Sequence, residues 1–145
     1  MGTRIYRRKP AAATGPTRGS PLENAFAGKW LRDCADLPFE RNYVVPGWRD
    51  WAREKKSLGL VTRAVPFRAD FAWPAARVCV EIQGATFVVG GHSTGPGIER
   101  DAIKNFTAQL SGWACLALTA GMLLHGKGER IWLPKLRQLI LDRSR

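Results

Sequence analysis

Two acids sit on stretches whose pattern reads as strands: Asp70 in "FRADFAW" and Glu81 in "VCVEIQG". A Trp-Pro pair between the two runs signals a turn. With the turn centred between Ala75 and Ala76, residue 70 faces 81, 68 faces 83 and 72 faces 79, and directly opposed residues share one face of a hairpin. One face then carries Arg68, Asp70, Ala72, Cys79, Glu81 and Gln83; the other carries Phe67, Ala69, Phe71, Trp73, Val78, Val80 and Ile82. The second face is core. On the first, the two carboxylates would stand with Cβ atoms about 5 Å apart, where like charges raise one pKa. A divalent cation between them removes the repulsion. Carboxylate oxygens suit Mg²⁺, which keeps several waters and also binds phosphate. The bland reading, a solvated polar face with two unrelated acids, stays open, because a one-residue slip breaks the pairing.

The rest of the chain gives such a site a partner. Its 145 residues hold 23 Lys+Arg against 12 Asp+Glu, a formal net charge of +11. That excess fits a polyanion, nucleic acid before an anionic membrane surface, although an architectural protein would be as basic. Three cysteines, Cys34, Cys79 and Cys115, lie in apolar segments without CxxC spacing. They read as reduced thiols of a cytoplasmic protein rather than a zinc site. No apolar run approaches the roughly 18 residues of a membrane span, and no signal-peptide pattern opens the chain.

Residues 1–19 are Pro-, Gly- and Ala-rich with five bases and no acid. They read as a basic flexible arm, with Arg7, Arg8 and Lys9 as phosphate contacts. Residues 20–145 read as a single domain. Ser20, Pro21 and Glu23 have the pattern of a capped helix start, with Leu22, Ala25, Phe26 and Trp30 as its apolar stripe. "FERNYVV" reads as a strand. A basic, Trp-bearing insertion follows at about 47–64, either a short amphipathic helix or a long loop. Its Trp48, Trp51, Lys55 and Lys56 lie on nucleic acid in one reading and anchor the insertion to the core in the other. After the hairpin come a Gly-rich loop and a helix whose Ile98, Ala102, Phe106 and Leu110 recur at helical spacing. A buried strand, "WACLAL", and a final helix with Pro134 inside it close the chain. The order predicts an α/β fold, a small mixed β-sheet flanked by helices.

The stretches "FRADFAWP", "VCVEIQGATF", "GGHSTGPGIERDAIKNF" and "GWACLAL" resemble the PD-(D/E)XK nuclease superfamily, above all the small phage and bacterial endonucleases akin to very-short-patch-repair enzymes and Holliday junction resolvases. The resemblance runs from about Phe39 to Met122. It implies a restriction-endonuclease-like core of order αβββαβ and a Mg²⁺-dependent nuclease, with Mn²⁺ able to substitute. Asp70 and Glu81 match the family's metal-binding acids, the Ile82 carbonyl is a further ligand, and Glu23 corresponds to the family's helical acid. Gln83 stands where the family often has Lys. A neutral amide orients water but neutralises no charge, so Lys104 is expected to substitute, one turn beyond Arg100 on the same helix face. Arg100 and Arg68 would face phosphate, and His92 in the Gly-rich loop would protonate the leaving oxygen or hold the phosphate. Glu99 is a weaker acid candidate, and His125 has no such context. The function this implies is an endodeoxyribonuclease selective for branched DNA such as four-way junctions, for which a homodimer would place two sites on opposed strands. The rivals are a non-catalytic DNA-binding module on a decayed nuclease fold and a mismatch-nicking enzyme.

Overall fold

The structure, a computed structural model, describes residues 19–84 and 95–145. The fold is α/β. Helix α1 (Pro21–Asp33) is followed by β1 (Glu40–Tyr43), α2 (Pro46–Ser57), β2 (Ala69–Trp73), β3 (Val78–Gln83), α3 (Gly95–Leu110), β4 (Ala114–Thr119), the short α4 (Ala120–Leu123) and α5 (Leu133–Arg143). With α2 set aside as the insertion, the order up to β4 is the expected αβββαβ. The four strands form one mixed sheet in sequence order. β1–β2 and β2–β3 are antiparallel and β3–β4 is parallel, with α3 as the crossover. Among the described residues no helix is long and apolar enough to cross a membrane.

Local chemistry explains the elements. Ser20 caps α1 with its hydroxyl accepting from the Glu23 amide at 3.2 Å, and the Glu23 carboxylate accepts from the Ser20 amide at 2.8 Å. The reciprocal pair satisfies two donors that helix geometry leaves open. The hairpin register is as expected, with Ala72 opposite Cys79 and Trp73 opposite Val78. Its turn is a single 3₁₀ turn, Pro74–Ala76, closed by Arg77 at φ 54°. Before α5 the chain widens into a π turn, Gly128–Trp132, in which the Leu133 amide donates to Gly128 O. Pro134 has no N–H and its ring crowds the carbonyl four residues back. The wider turn accommodates both.

The sheet is covered on both faces. Phe26 and Trp30 of α1 join Phe71, Trp73, Val78 and Val80 of the hairpin and Leu136 and Ile140 of α5 in one buried cluster. The Trp30 and Trp73 indoles both donate to the Leu37 carbonyl, at 2.8 and 3.0 Å. On the opposite face Ala69, Ala72 and Cys79 pack under Trp48 of α2, Ala108 of α3 and Trp113. Two expected placements are corrected here. Phe67 and Ala69 pack with this second cluster, not with Phe71. Asn42 in β1 takes φ 51°, a left-handed conformation that Asn tolerates, and beyond it Tyr43, the partner of Ala69, also packs on this side and stacks on Trp113.

The other correction is α3. Its apolar series points outward: Ile98, Phe106 and Leu110 are 57, 66 and 72% exposed. Ala108 is buried instead, and Thr107 and Ser111 are half-buried. Thr107 Oγ1 donates to Ile103 O at 2.7 Å and Ser111 Oγ to Ala108 O at 2.8 Å. Hydroxyls satisfied by their own helix can face a neighbouring helix at little desolvation cost; here Thr107 and Ser111 lie against Gly47 of α2, and Ala108 alone of the three packs in the buried cluster on the sheet.

Candidate active site

The hairpin zips at its turn and opens at the other end. Its backbone pairing stops at Phe71–Val80. One step further the Ile82 amide donates to Asp70 Oδ2, at 2.7 Å, in place of a strand partner. In an extended strand the N–H and C=O of one residue point the same way, so the Ile82 carbonyl faces this opening too. Here Asp70, Glu81, Ile82 and Gln83 line a cleft of about 390 Å³, and α3 closes it with Arg100, Asp101 and Lys104. Six of the residues singled out in the sequence thus meet in one place.

Lys104 is the most constrained of them. Its ammonium pairs with Glu81 Oε1, and both side chains are largely buried. The same Nζ stands 5.5 Å from the Trp48 ring centroid and 5.4 Å from that of Phe67, within cation–π range. Trp48 is fully buried, and its indole N–H donates to the Lys104 carbonyl at 2.9 Å. Trp48 of the insertion helix therefore meets the lysine at its ammonium and at its carbonyl, and Phe67, beyond α2, adds a second ring. Of the two readings of Trp48, the structure supports the anchor.

The acids are arranged unequally. Asp70 is pushed up to about 6, first by burial and then by the neighbouring Glu23 and Glu81 charges, against the lowering effect of the Ile82 amide. Glu23 stands next to Asp70, and the ionisation of each bears on the other. Burial opposes the ionised form of Glu23, but bonds to Ser20, the adjoining Asp70 and the Arg41 charge together hold it below its ordinary value. Glu23 thus caps α1 and stands behind Asp70, outside the residues that line the cleft. Asp70, Glu81 and the Ile82 carbonyl are oxygen donors of the kind Mg²⁺ takes together with water. Among the described residues, no group of three or more His, Cys, Asp and Glu side chains converges as a metal cage. Two carboxylates and a carbonyl suit a hydrated hard cation better than zinc.

Other candidates lie elsewhere. Arg68 donates to the Asn42 carbonyl at 3.0 Å, toward β1. Lys55 lies over the Trp51 and Phe67 rings, 5.8 Å from each, and Lys56 is exposed on α2. His92, Arg7, Arg8 and Lys9 lie outside the described residues. His125 is exposed in a turn at φ 59°. Sequence reasoning weighed Glu99, yet the acid of α3 in the cleft is Asp101. Its spacing of three from Lys104 was the available signal. The contacts of Trp48 and Phe67 with Lys104 were not anticipated. Comparisons with family models, curated proteins and solved structures each returned no match.

Proposed function

We propose that the chain is a Mg²⁺-dependent endodeoxyribonuclease selective for DNA structure, with four-way or otherwise branched DNA as substrate and Mn²⁺ as a substitute metal. One observation carries the reading: Asp70, Glu81, Ile82, Gln83 and Lys104 line a single cleft at the open end of a hairpin, in a chain of net charge +11. Asp70, Glu81 and the Ile82 carbonyl would hold the cation, with Glu23 behind Asp70. Bound Mg²⁺ supplies an oriented water and offsets charge on the phosphodiester. Gln83 would hydrogen-bond the water. Lys104 would stabilise the charge that develops on phosphorus-bound oxygens, the part a neutral Gln83 leaves open. Arg100 would draw the phosphate into the cleft. No base-reading element is evident among these residues, so shape rather than sequence is the expected basis of selection.

A second reading has its own observation. Lys104 already pairs Glu81, so the site is partly neutralised by the protein itself, as a DNA-binding module without catalysis would be. Labelled four-way junction, flap and plain duplex, each in Mg²⁺ and in EDTA, separate the two, with Asp70→Ala beside the wild type. Metal-dependent cuts that vanish in the variant, ranked junction over duplex, are expected. Tight binding without cuts in Mg²⁺ or Mn²⁺ would favour the binding module.

A further inference from the structure

The outward stripe of α3 borders a groove of about 530 Å³ against α2, with Phe106, Leu110 and Trp51 as apolar walls. It continues toward Gly47 and Ser111. A Cβ on Gly47 would stand 2.5 Å from the Thr107 carbonyl, so the floor where the two helices approach is closed to any larger residue. The rim is acidic: Asp50 and Glu54 from α2, Glu99 from α3, with no Lys or Arg lining either part and Lys55 the nearby cation, over the Trp51 ring and toward Phe67. A chain of only 12 acids has set three of them around this exposed apolar surface. Exposed apolar patches of this kind mark interaction sites.

Charge selects the occupant. Phosphates are repelled by the rim, so this is not the nucleic-acid face. A second copy docked groove to groove would bring the acids together with no cation in the lining to offset them. What fits is a short segment with apolar side chains between cations. The chain itself contains one: Arg4, Ile5, Tyr6, Arg7, Arg8 and Lys9. The ten Cα–Cα steps from Lys9 to Gly19 span up to about 33 Å when extended, and Gly19 stands against Glu23, the neighbour of Asp70 in the cleft that α3 closes. We infer that the groove between α2 and α3 seats residues 4–9 of the same chain, with Ile5 and Tyr6 on the apolar walls and Arg7 and Arg8 on the acidic rim. Cations held there are withdrawn from other anions, so a polyanion competes with the groove for them. The inference does not depend on the cleft having nuclease activity.

Chymotrypsin cleavage after Tyr6, followed by mass spectrometry on the full chain, tests it. Rates are normalised to a peptide of residues 1–18 carrying the same arm sequence. Cleavage of a docked segment tracks the population of its open form. Glu54→Lys/Glu99→Lys should speed the wild-type arm's cleavage about tenfold, since both rim pairs turn repulsive. Adding Arg7→Glu/Arg8→Glu to that variant should restore protection. Leu110→Ser, at a site already exposed, should also speed the cut. Protection that persists on dilution supports docking within one chain. Protection lost on dilution would assign the groove to a second molecule, and a normalised rate indifferent to all these changes would leave it without this occupant; either result overturns the inference.

Discussion

On one face of the sheet Phe26, Trp30, Phe71 and Trp73 crowd together with ring centroids 4.6 to 6.4 Å apart. On the other, Ala69, Ala72, Cys79 and Ala108 let α2 and α3 sit close to the strands. The aromatic face buries large side chains and, at Trp30 and Trp73, satisfies both indoles on one carbonyl. The other face ends in the cleft, where a lysine, two acids and a backbone carbonyl meet. The physical difference is where the bulk sits: on this side the large rings of Trp48, Phe67, Tyr43 and Trp113 flank a patch of small residues between the strands and α3. Small residues under α3 bring Lys104 within reach of Glu81 across the sheet, which a layer of Leu or Phe would prevent.

Four substitutions would break or sharpen that contrast. Asp70→Asn should abolish metal-dependent cleavage while preserving the fold, since an amide oxygen still accepts from Ile82 N–H. The same variant should alter the pH dependence of stability. Asp70 has a folded pKa of about 6 against an ordinary 3.8. An acid raised on folding contributes stability below its unfolded pKa and loses it as pH rises through the folded value. Wild-type protein should therefore lose stability between about pH 4 and 6 without metal, and Asp70→Asn should lack that loss in parallel urea melts. Trp30→Ala on the aromatic face should cost about 3–5 kcal/mol in the same assay, leaving the metal dependence of any remaining folded protein unchanged. Ala108→Leu on the other face should cost less, about 1–3 kcal/mol, yet reduce turnover disproportionately by lifting Lys104 from Glu81. Equal losses in the two measures would deny that the small-residue patch matters. Ser20→Ala should cost about 1 kcal/mol and, by releasing Glu23 from its cap, shift the pH at which Mg²⁺ binds, read by calorimetry.

Much of this was legible because two periodicities were clean. The hairpin register followed from alternation and a Trp-Pro turn, and Asp70, Glu81 and Gln83 came with it. The start of α1 followed from Ser20, Pro21 and Glu23, whose chemistry is local. The orientation of α3 was not legible. Hydropathy ranks Ile98, Phe106 and Leu110 above Thr107 and Ser111, but it does not register that a hydroxyl can bond back to its own helix. The role of α2 was half legible: Trp48 could be read as an anchor, but its hold on Lys104 depends on two elements 56 residues apart. Ala69 and Phe67 were misplaced because strict alternation does not register where strands leave their regular geometry, as β1 does at Asn42 beside them.

The carboxylate that replaces a rung of the ladder has a spectroscopic consequence. The Ile82 amide is bonded to a group that can change charge, whereas neighbouring amides of β3 are bonded to carbonyls that cannot. Its proton resonance should therefore move with the ionisation of Asp70 and move again when a cation competes for the same oxygens. One backbone signal would then report both events, on the intact protein and without substrate.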